Sequence, residues 1–261
     1  MLNPQVAFPT RHPGEPVETY SGTGYFNSGL LSKMPPEPGV PPNDTFSLTF
    51  DTPGTFPYLS LVAADRMIGT VEVVPADATD VPDQAAIDAR ASAESVALLG
   101  LVQAARGQGQ ALARTEPGPG GASFSFVRAG NSEFISGDGR AQVIEFLPRD
   151  VTVKAGDTVV WGSTFFHTAS FVPTTPLPEF VVPVPQDAGP PLLTINPQAA
   201  NPAKPAPVFD STRLFSSGVL GPFSPFGFSW ALTFDRPGTF EYVCLVHAEL
   251  GMKGTVTVVP R

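Results

Sequence analysis

The sequence predicts an all-β protein whose main part is a β-sandwich. Proline and glycine are abundant, with 31 and 25 residues, and only 15% of the 261 residues are charged. Short runs of β-branched and aromatic residues are interrupted by these turn formers, and long helical periodicity is mostly absent. This pattern is typical of a sandwich of short strands. The length allows two small domains.

The chain contains an internal repeat, which we interpret as a tandem duplication. Leu48–Phe56 (LTFDTPGTF) matches Leu232–Phe240 (LTFDRPGTF), and Gly69–Pro75 (GTVEVVP) matches Gly254–Pro260 (GTVTVVP). We therefore predict two related domains, of which the second, at 122–261, is complete. The first is partial, because the chain has no earlier counterpart of the strands expected between 141 and 171.

The first domain is predicted at residues 1–76, with three strands at 45–51, 55–62 and 69–74. Three strands cannot bury an apolar face by themselves. Two explanations remain open. The chain is part of a longer precursor, or the partial domain packs on the second domain, on the helix that follows or on another chain, which would give a homo-oligomer.

Residues 77–121 are predicted to form a helical linker and a hinge. Asp80 supplies a cap, Pro82 an early proline and Asp83 a first-turn acid for a helix over Gln84–Ala105, and Gly107 and Gly109 indicate its end. Its apolar residues form a stripe that predicts packing on a sheet or between domains, or a contact that builds an oligomer. The stripe comprises Ile87, Ala91, Leu98, Leu101, Val102 and Ala105. Residues 115–121, rich in proline and glycine, then predict a flexible hinge.

Two features of the second domain can be predicted from short stretches of sequence. Alternating apolar runs on either side of Gly156–Asp157 predict a β-hairpin, with another strand beyond it. Residues 172–210 hold eleven prolines, which favour extended backbone without ladder pairing. This long segment is either a loop wrapped on the sandwich surface or a docking or lid element near His167.

The residues with the clearest chemistry are Cys244, His247 and Met252, in the spacing Cys-x2-His-x4-Met. A thiolate, an imidazole and a thioether so close together suit copper, with a second histidine completing a His2Cys plane and a weak axial methionine. His167 follows a predicted strand, whereas His12 lies in a proline- and glycine-rich loop, so His167 is the natural partner. A lone cysteine by itself would more often be a small buried apolar residue.

These motifs resemble the plastocyanin, pseudoazurin and halocyanin group of cupredoxins. The resemblance covers residues 122–261 and includes Phe146–Trp161 (FLPRDVTVKAGDTVVW) and Phe234–His247 (FDRPGTFEYVCLVH). It implies a Greek-key sandwich with one type 1 copper held by His167, Cys244, His247 and Met252. It also implies electron transfer rather than enzyme activity, with His247 as the surface ligand, and a periplasmic or extracellular location. The long insertion between His167 and Cys244 is unusual.

The first copy has lost the metal-binding pattern. Ser60 stands where the second copy has Cys244, and Ala63 stands where it has His247. Neither side chain replaces a thiolate or an imidazole, so we predict no copper there. Met67, the counterpart of Met252, is expected to fill a core.

Charge and hydropathy limit the partners. The net charge is −9, and residues 1–118 account for −7 of it, which argues against nucleic acid or anionic membranes. No apolar run is long enough for a membrane span, and residues 1–30 lack a signal-peptide pattern. We expect redox protein partners to dock on an apolar patch near His247. Its candidates are Leu245, Val246, Leu250, Phe223, Phe226 and Phe228, although core positions are favoured for the phenylalanines.

Alternatives to an electron carrier also follow from the histidine count. A multicopper oxidase or nitrite reductase-like enzyme needs more histidines, and only His12 remains after the predicted site is filled. A symmetric trimer that brings three copies of His12 together would be required. A copper carrier or storage protein would favour exposed clusters of methionine or histidine, which the sequence lacks.

Overall fold

The computed structural model describes residues 3–10, 16–31, 43–62, 64–132, 140–187, 191–203, 208–221, 224–225 and 227–261. They form two compact units. Unit 1 consists of residues 1–90 and 183–194, and unit 2 consists of residues 91–182 and 195–261. The domain boundaries expected at 76, 77–121 and 122 stay a prediction.

Unit 1 is built around small two-stranded sheets. The strand β1 (Glu18–Tyr20) pairs in parallel with β2 (Leu48–Phe50), and β3 (Gly54–Ser60) pairs antiparallel with β4 (Ala64–Val73). A one-turn helix, α1 (Pro4–Ala7), precedes them. The rings of Tyr20, Phe50 and Phe56 contact one another at centroid distances of 5.2–5.8 Å, so aromatic edges hold the two sheets together.

The helix α2 runs from Gln84 to Ala111. Asp83, expected in the first turn, is the cap instead of Asp80, since its carboxylate accepts the Ala86 N–H at 2.8 Å. The predicted end at Gly107 and Gly109 is wrong, because Gly109 is a packing residue rather than a helix terminator. A Cβ there would lie 2.5 Å from Leu147 Cδ1. Of the predicted stripe, only Ala105 is buried, whereas Ile87 and Leu98 are exposed.

Unit 2 is a sandwich of two sheets, so the all-β expectation is confirmed. Its strands in chain order are β5 (Arg114–Pro117), β6 (Ser123–Ser132), β7 (Gln142–Leu147), β8 (Asp150–Lys154), β9 (Asp157–Gly162), β10 (Ser170–Phe171), β13 (Pro202–Ala203), β14 (Phe215–Ser217), β15 (Ser229–Phe234), β16 (Gly238–Val243) and β17 (Lys253–Val259). The first sheet has the order β13-β14-β10-β16-β17-β8, and the second has β15-β9-β6-β5, with β7 also paired to β6.

Two segments differ from the local sequence pattern. Arg114–Pro117, where we expected the hinge to start, pairs with β6 along Ser123–Phe126. The proline-rich segment does contain a ladder, since β11 (Val181–Val184) pairs with β12 (Leu192–Ile195). The expectation of a segment without pairing is therefore wrong. A one-turn helix, α3 (Pro197–Ala200), follows and is capped by the Asn196 side chain.

The predicted hairpin at Gly156–Asp157 is also wrong, because β8 and β9 belong to opposite sheets. β8 pairs with β17, whereas β9 pairs with β6 and β15. The connection is a corner in which Ala155 N–H binds Val259 O and Gly156 N–H binds Phe234 O. These partners lie 104 and 78 residues further along the chain, so a local sequence pattern cannot reveal them.

The core of unit 2 lies between the sheets and is rich in aromatic residues. Trp161 is fully buried and contacts Phe171, Trp230 and Tyr242 at centroid distances of 5.3–5.7 Å. Cys244 and Met252 belong to the same buried cluster. The core therefore extends to one end of β16 and β17, where the chemistry-bearing residues lie. Among the described residues, no helix combines the length and apolarity needed to cross a bilayer.

Candidate metal centre

The loop 244–252 is the turn of the β16–β17 hairpin. Val243 and Lys253 are the last paired residues, so Cys244 and Met252 lie at the neck of the loop. Cys244 N–H donates to Met252 O at 2.9 Å, and Met252 N–H donates to His247 O at 3.2 Å. The backbone thus closes the loop and fixes the positions of its three candidate ligands.

His167 reaches the same place from a different part of the chain. It follows β9 and forms an isolated bridge with Leu220, whose N–H donates to His167 O at 2.7 Å. The expectation that His167 lies where a strand gives way to a loop is confirmed. Its side chain is fully buried, whereas His247 is only partly buried.

The structure brings three donor atoms together. Cys244 Sγ lies 3.7 Å from His167 Nδ1 and 3.5 Å from His247 Nδ1, and the two Nδ1 atoms are 3.1 Å apart. In the part of the chain that is described, these residues are the only group of three or more His, Cys, Asp or Glu side chains close enough to hold a metal ion. Met252 is 1% exposed and belongs, with Cys244, to the hydrophobic core of unit 2. His12 lies outside the described residues.

Thr168 organises the surroundings of the sulfur. Its N–H donates to Cys244 Sγ at 3.4 Å, and its hydroxyl accepts the Leu245 N–H at 2.8 Å. Ser170 lies one step further away, within 3.3 Å of the Thr168 hydroxyl. Thr168 therefore holds both the cysteine sulfur and the backbone that follows it, whereas Ser170 supports Thr168.

The protonation states of the cluster follow from its burial. Burial, the neighbouring His247 and the charge of Arg128 lower the pKa of His167 to about 3. Burial lowers the pKa of His247 to about 4 and raises the pKa of the Cys244 thiol. Both imidazoles are therefore neutral at pH 7 and offer lone pairs. A metal that binds there would displace the thiol proton, since the thiolate is the ligand form.

The outer edge of the His167 ring contacts residues that the sequence did not reveal. Gln142 Nε2 lies 3.4 Å from His167 Nε2, and a Cβ at Gly130 would collide with the ring. Both residues come from β6 and β7, distant in sequence from the ligand motif. No local signal distinguishes them, because a glutamine in a strand and a glycine at a bulge are common.

The candidate docking residues are now sorted by exposure. Leu250 is 68% exposed, whereas Leu245 is buried and cannot form a surface. Phe228 is 57% exposed, so the preference for a core position is wrong there. Phe223 and Phe226 lie outside the described residues.

Comparisons with known proteins agree with this geometry. Residues 219–259 match the family described as copper binding proteins, plastocyanin/azurin family. The match includes Cys244, His247 and Met252, but His167 lies outside it. The chloroplastic plastocyanin of Physcomitrium patens is 29% identical over 175 residues, which cover 66% of this chain and 86% of that relative.

Solved structures that the chain resembles include a plastocyanin and a cupredoxin. The oxidized plastocyanin from Dryopteris crassirhizoma is 22% identical and aligns with 51% of this chain and 99% of its own, at a TM-score of 0.30. The purple cupredoxin from Nitrosopumilus maritimus is 18% identical and aligns with 51% and 98%, at a TM-score of 0.28.

Unit 2 resembles the plastocyanin/azurin family of copper binding proteins and has a cluster of residues of the copper-binding kind at one end of its sandwich. This resemblance rests on the family match over residues 219–259 and on the plastocyanin relative. The tandem duplication of the chain stays a prediction.

Proposed function

We propose that this protein transfers single electrons through one type 1 copper held by His167, Cys244, His247 and Met252. The observation that carries the proposal is the convergence of three soft or borderline donor atoms within 4.8 Å of one another. The buried thioether of Met252 at the neck of the same loop supports a fourth, weak ligand. The donor set fits copper, which favours two imidazoles, one thiolate and an axial thioether.

A bound copper would supply a one-electron couple, Cu(I)/Cu(II). The protein's part is to hold the donors so that little rearrangement accompanies the change of charge. The closed backbone of the loop 244–252 and the β16–β17 register restrain Cys244, His247 and Met252. The Leu220 bridge restrains His167.

Hydrogen bonding to the sulfur tunes the site. The Thr168 N–H places a positive dipole end on Cys244 Sγ at 3.4 Å. A dipole in that orientation stabilises the thiolate and withdraws charge from it, which is one of the means by which a protein sets the potential of a metal centre. The aromatic core packs next to Cys244 and excludes water from that side of the sulfur.

His247 lies on the side of the cluster at which a bound copper would exchange electrons. His247 is partly exposed, whereas His167 is fully buried. Leu250, on the same loop, is 68% exposed and provides apolar contact area for a redox partner. We extend the proposal to a protein partner that docks there, and to a location outside the cytoplasm, either periplasmic or extracellular.

We assign no enzyme activity to the chain. A catalytic copper would need several further imidazoles, and the sequence has three histidines in all. The trimer that would bring copies of His12 together depends on a residue outside the described part of the chain. No observation favours that enzyme or a copper carrier over the electron-transfer assignment.

The test is a titration of the full chain with Cu(II), followed by visible absorption spectroscopy. We expect an intense blue thiolate-to-copper band that saturates at one copper per chain, is bleached by ascorbate and returns on reoxidation. Cys244→Ser should remove the band. A colourless product, or a band that survives in Cys244→Ser, would overturn the assignment. More than one copper per chain with turnover of nitrite or oxygen would favour the enzyme instead.

A further inference from the structure

The two nitrogens of His167 face different surroundings. Nδ1 points into the cluster, 3.1 Å from His247 Nδ1 and 3.7 Å from Cys244 Sγ. Nε2 points the other way, to Gln142 Nε2 at 3.4 Å. The site described above uses only the first nitrogen, so the role of the second remains to be assigned.

The Nε2 edge lies against a bulge in β6. The register of β6 and β7 shifts between Ala129 and Asn131, and Gly130 between them has φ of +65°. A residue with a Cβ would be strained there and would collide with the His167 ring. The bulge therefore leaves room for the imidazole and brings the start of β7, where Gln142 lies, to its outer edge.

The bulge is fixed on both sides. Ser163 Oγ donates to Ala129 O at 2.8 Å, and Asn131 Nδ2 donates to Ala105 O of α2 at 2.7 Å. The ring consequently occupies a defined cradle. A polar group that faces Nε2 in this cradle can select the tautomer of the ring.

The chemistry of the ring decides what that group must do. A neutral imidazole carries one N–H, and a metal ligand must present a lone pair. If Nδ1 of His167 faces the metal, the proton lies on Nε2, which is then a donor. An amide nitrogen cannot accept a hydrogen bond, but an amide oxygen can. The two amide atoms of glutamine are distinguished only by the hydrogen bonds that they make.

We propose that Gln142 is a positioning residue for His167. Its side-chain carbonyl oxygen accepts the Nε2–H, with the amide turned so that oxygen and nitrogen exchange places. This bond keeps Nδ1 free of a proton and aims it into the cluster. The proposal rests on the proposed function only for the identity of the metal. The tautomer can be measured without any metal.

The first experiment is ¹⁵N NMR of the His167 ring in the metal-free full chain. We expect the proton on Nε2 in the wild type and in Gln142→Glu, because a carboxylate accepts but cannot donate. Gln142→Leu should give a mixture of tautomers. A wild-type-like tautomer in Gln142→Leu would overturn the proposal. So would Gln142→Glu behaving like Gln142→Leu, which would mean that the amide nitrogen donates.

The second experiment measures the Cu(I) affinity of the same variants by competition with a chelator. Loss of a residue that hydrogen-bonds a metal ligand typically weakens metal binding by about 10- to 100-fold, and we expect this for Gln142→Leu. Gln142→Glu should bind at least as tightly as the wild type. Gln103→Leu, the same change at an exposed position of α2, should alter nothing.

The two proposals fail in different ways. A wild-type chain that binds no copper contradicts the proposed function, whereas the tautomer result still decides the role of Gln142. If the wild type binds copper and Gln142→Leu binds it with unchanged affinity, only the positioning role of Gln142 is contradicted. Far-ultraviolet circular dichroism of Gln142→Leu confirms that the compared variants are folded.

Discussion

The two hairpins β3–β4 and β16–β17 have the same register but different surroundings. Tyr58 pairs with Gly69 in the first, and Tyr242 pairs with Gly254 in the second. In both, a Cβ on the glycine would collide with or crowd the tyrosine ring. The matching pairs lie at corresponding positions of the sequence repeat. The hairpin sequence thus specifies its own pairing in either unit.

The two hairpins differ in the burial of their side chains and in their neighbouring strands. Tyr242 is 1% exposed beneath the opposite sheet, whereas Tyr58 is 61% exposed. β16 and β17 gain β10 and β8 as outer neighbours, but within the described residues β3 and β4 pair only with each other. The expectation that Met67 fills a core is accordingly wrong, since it is 66% exposed.

The turns of the two hairpins differ in how far strand pairing extends, and the candidate ligands lie in the turn where pairing stops earlier. In the first hairpin, pairing continues through a bulge to Ser60 and Ala64, whereas in the second it stops at Val243 and Lys253. The open loop of the second carries Cys244 and His247. A hairpin register common to both units is therefore insufficient for a metal site. The site also needs an open loop and a histidine from elsewhere in the sandwich.

The largest effect is expected when the cysteine is moved from one hairpin to the other. The double variant Cys244→Ser/Ser60→Cys should show no blue band and a Cu(I) affinity reduced more than about a hundredfold, since loss of a residue that only supports a ligand already costs 10- to 100-fold. A thiolate at residue 60 lacks the open loop. Visible spectroscopy and chelator competition measure both. Colour in the double variant would show that the first hairpin can also hold copper.

The next largest effect is the difference in unfolding free energy between alanine variants of Tyr242 and Tyr58. Tyr242→Ala should lower the free energy of unfolding of unit 2 by about 3–5 kcal/mol, because it leaves a large cavity in the core. Tyr58→Ala should change the free energy of unfolding of unit 1 by less than about 0.5 kcal/mol. Urea unfolding is followed by tryptophan fluorescence for unit 2, where both tryptophans, Trp161 and Trp230, lie, and by far-ultraviolet circular dichroism for both units. Equal effects of the two variants would contradict the comparison.

The third prediction concerns the corner between β8 and β9, at the end of the strand β8 that pairs in parallel with β17. Asp157 accepts N–H bonds from Ser123 and Lys154 at 3.0 and 2.9 Å and pairs with Arg261. Burial alone raises the pKa of Asp157, but these bonds and the guanidinium outweigh burial and leave it below the ordinary value. Asp157→Asn should cost about 1.5–3 kcal/mol of unfolding free energy at pH 7, because a buried charged acceptor is lost.

The pH dependence of this effect has a defined sign. The folded-state pKa is lower than the unfolded value of about 3.9, so the carboxylate stabilises the fold above that pH. The contribution is lost as the pH falls through the folded-state pKa. The wild type and Asp157→Asn should therefore differ less in urea midpoint at pH 3 than at pH 7. Glu241→Gln, the same change at an exposed residue of β16, should show neither effect.

The smallest effect on stability is expected from the two methionines. Met252→Leu and Met67→Leu conserve volume, so each should change the free energy of unfolding by less than about 1.5 kcal/mol. Only Met252→Leu should shift the blue absorption and the reduction potential, because only this sulfur lies at the neck of the open loop. A shift of the blue absorption or the reduction potential in Met67→Leu would contradict the difference proposed between the two hairpins.

Much of the candidate site was predictable from the sequence, because its candidate ligands form a chemical pattern. The spacing of Cys244, His247 and Met252 and the choice of His167 over His12 required only donor types and turn signals. The presence of a helix after the acidic, proline-containing segment 80–83 was likewise predictable, although its cap is Asp83 rather than Asp80. The all-β architecture follows from composition. These features depend on residues that are close in sequence or on elimination among three histidines.

The remaining features were decided by tertiary structure, because they depend on contacts between distant residues. β8 and β9 separate into opposite sheets since each finds its partners far along the chain, in β17 and β15. The helix α2 passes Gly107 and Gly109 since Gly109 packs against Leu147. The cradle of Gly130 and Gln142 around His167, and the exposure of Tyr58 and Met67, likewise depend on which elements meet. Sequence determined the donor set, which only the second hairpin carries, and packing determined that this hairpin is buried while the first is exposed.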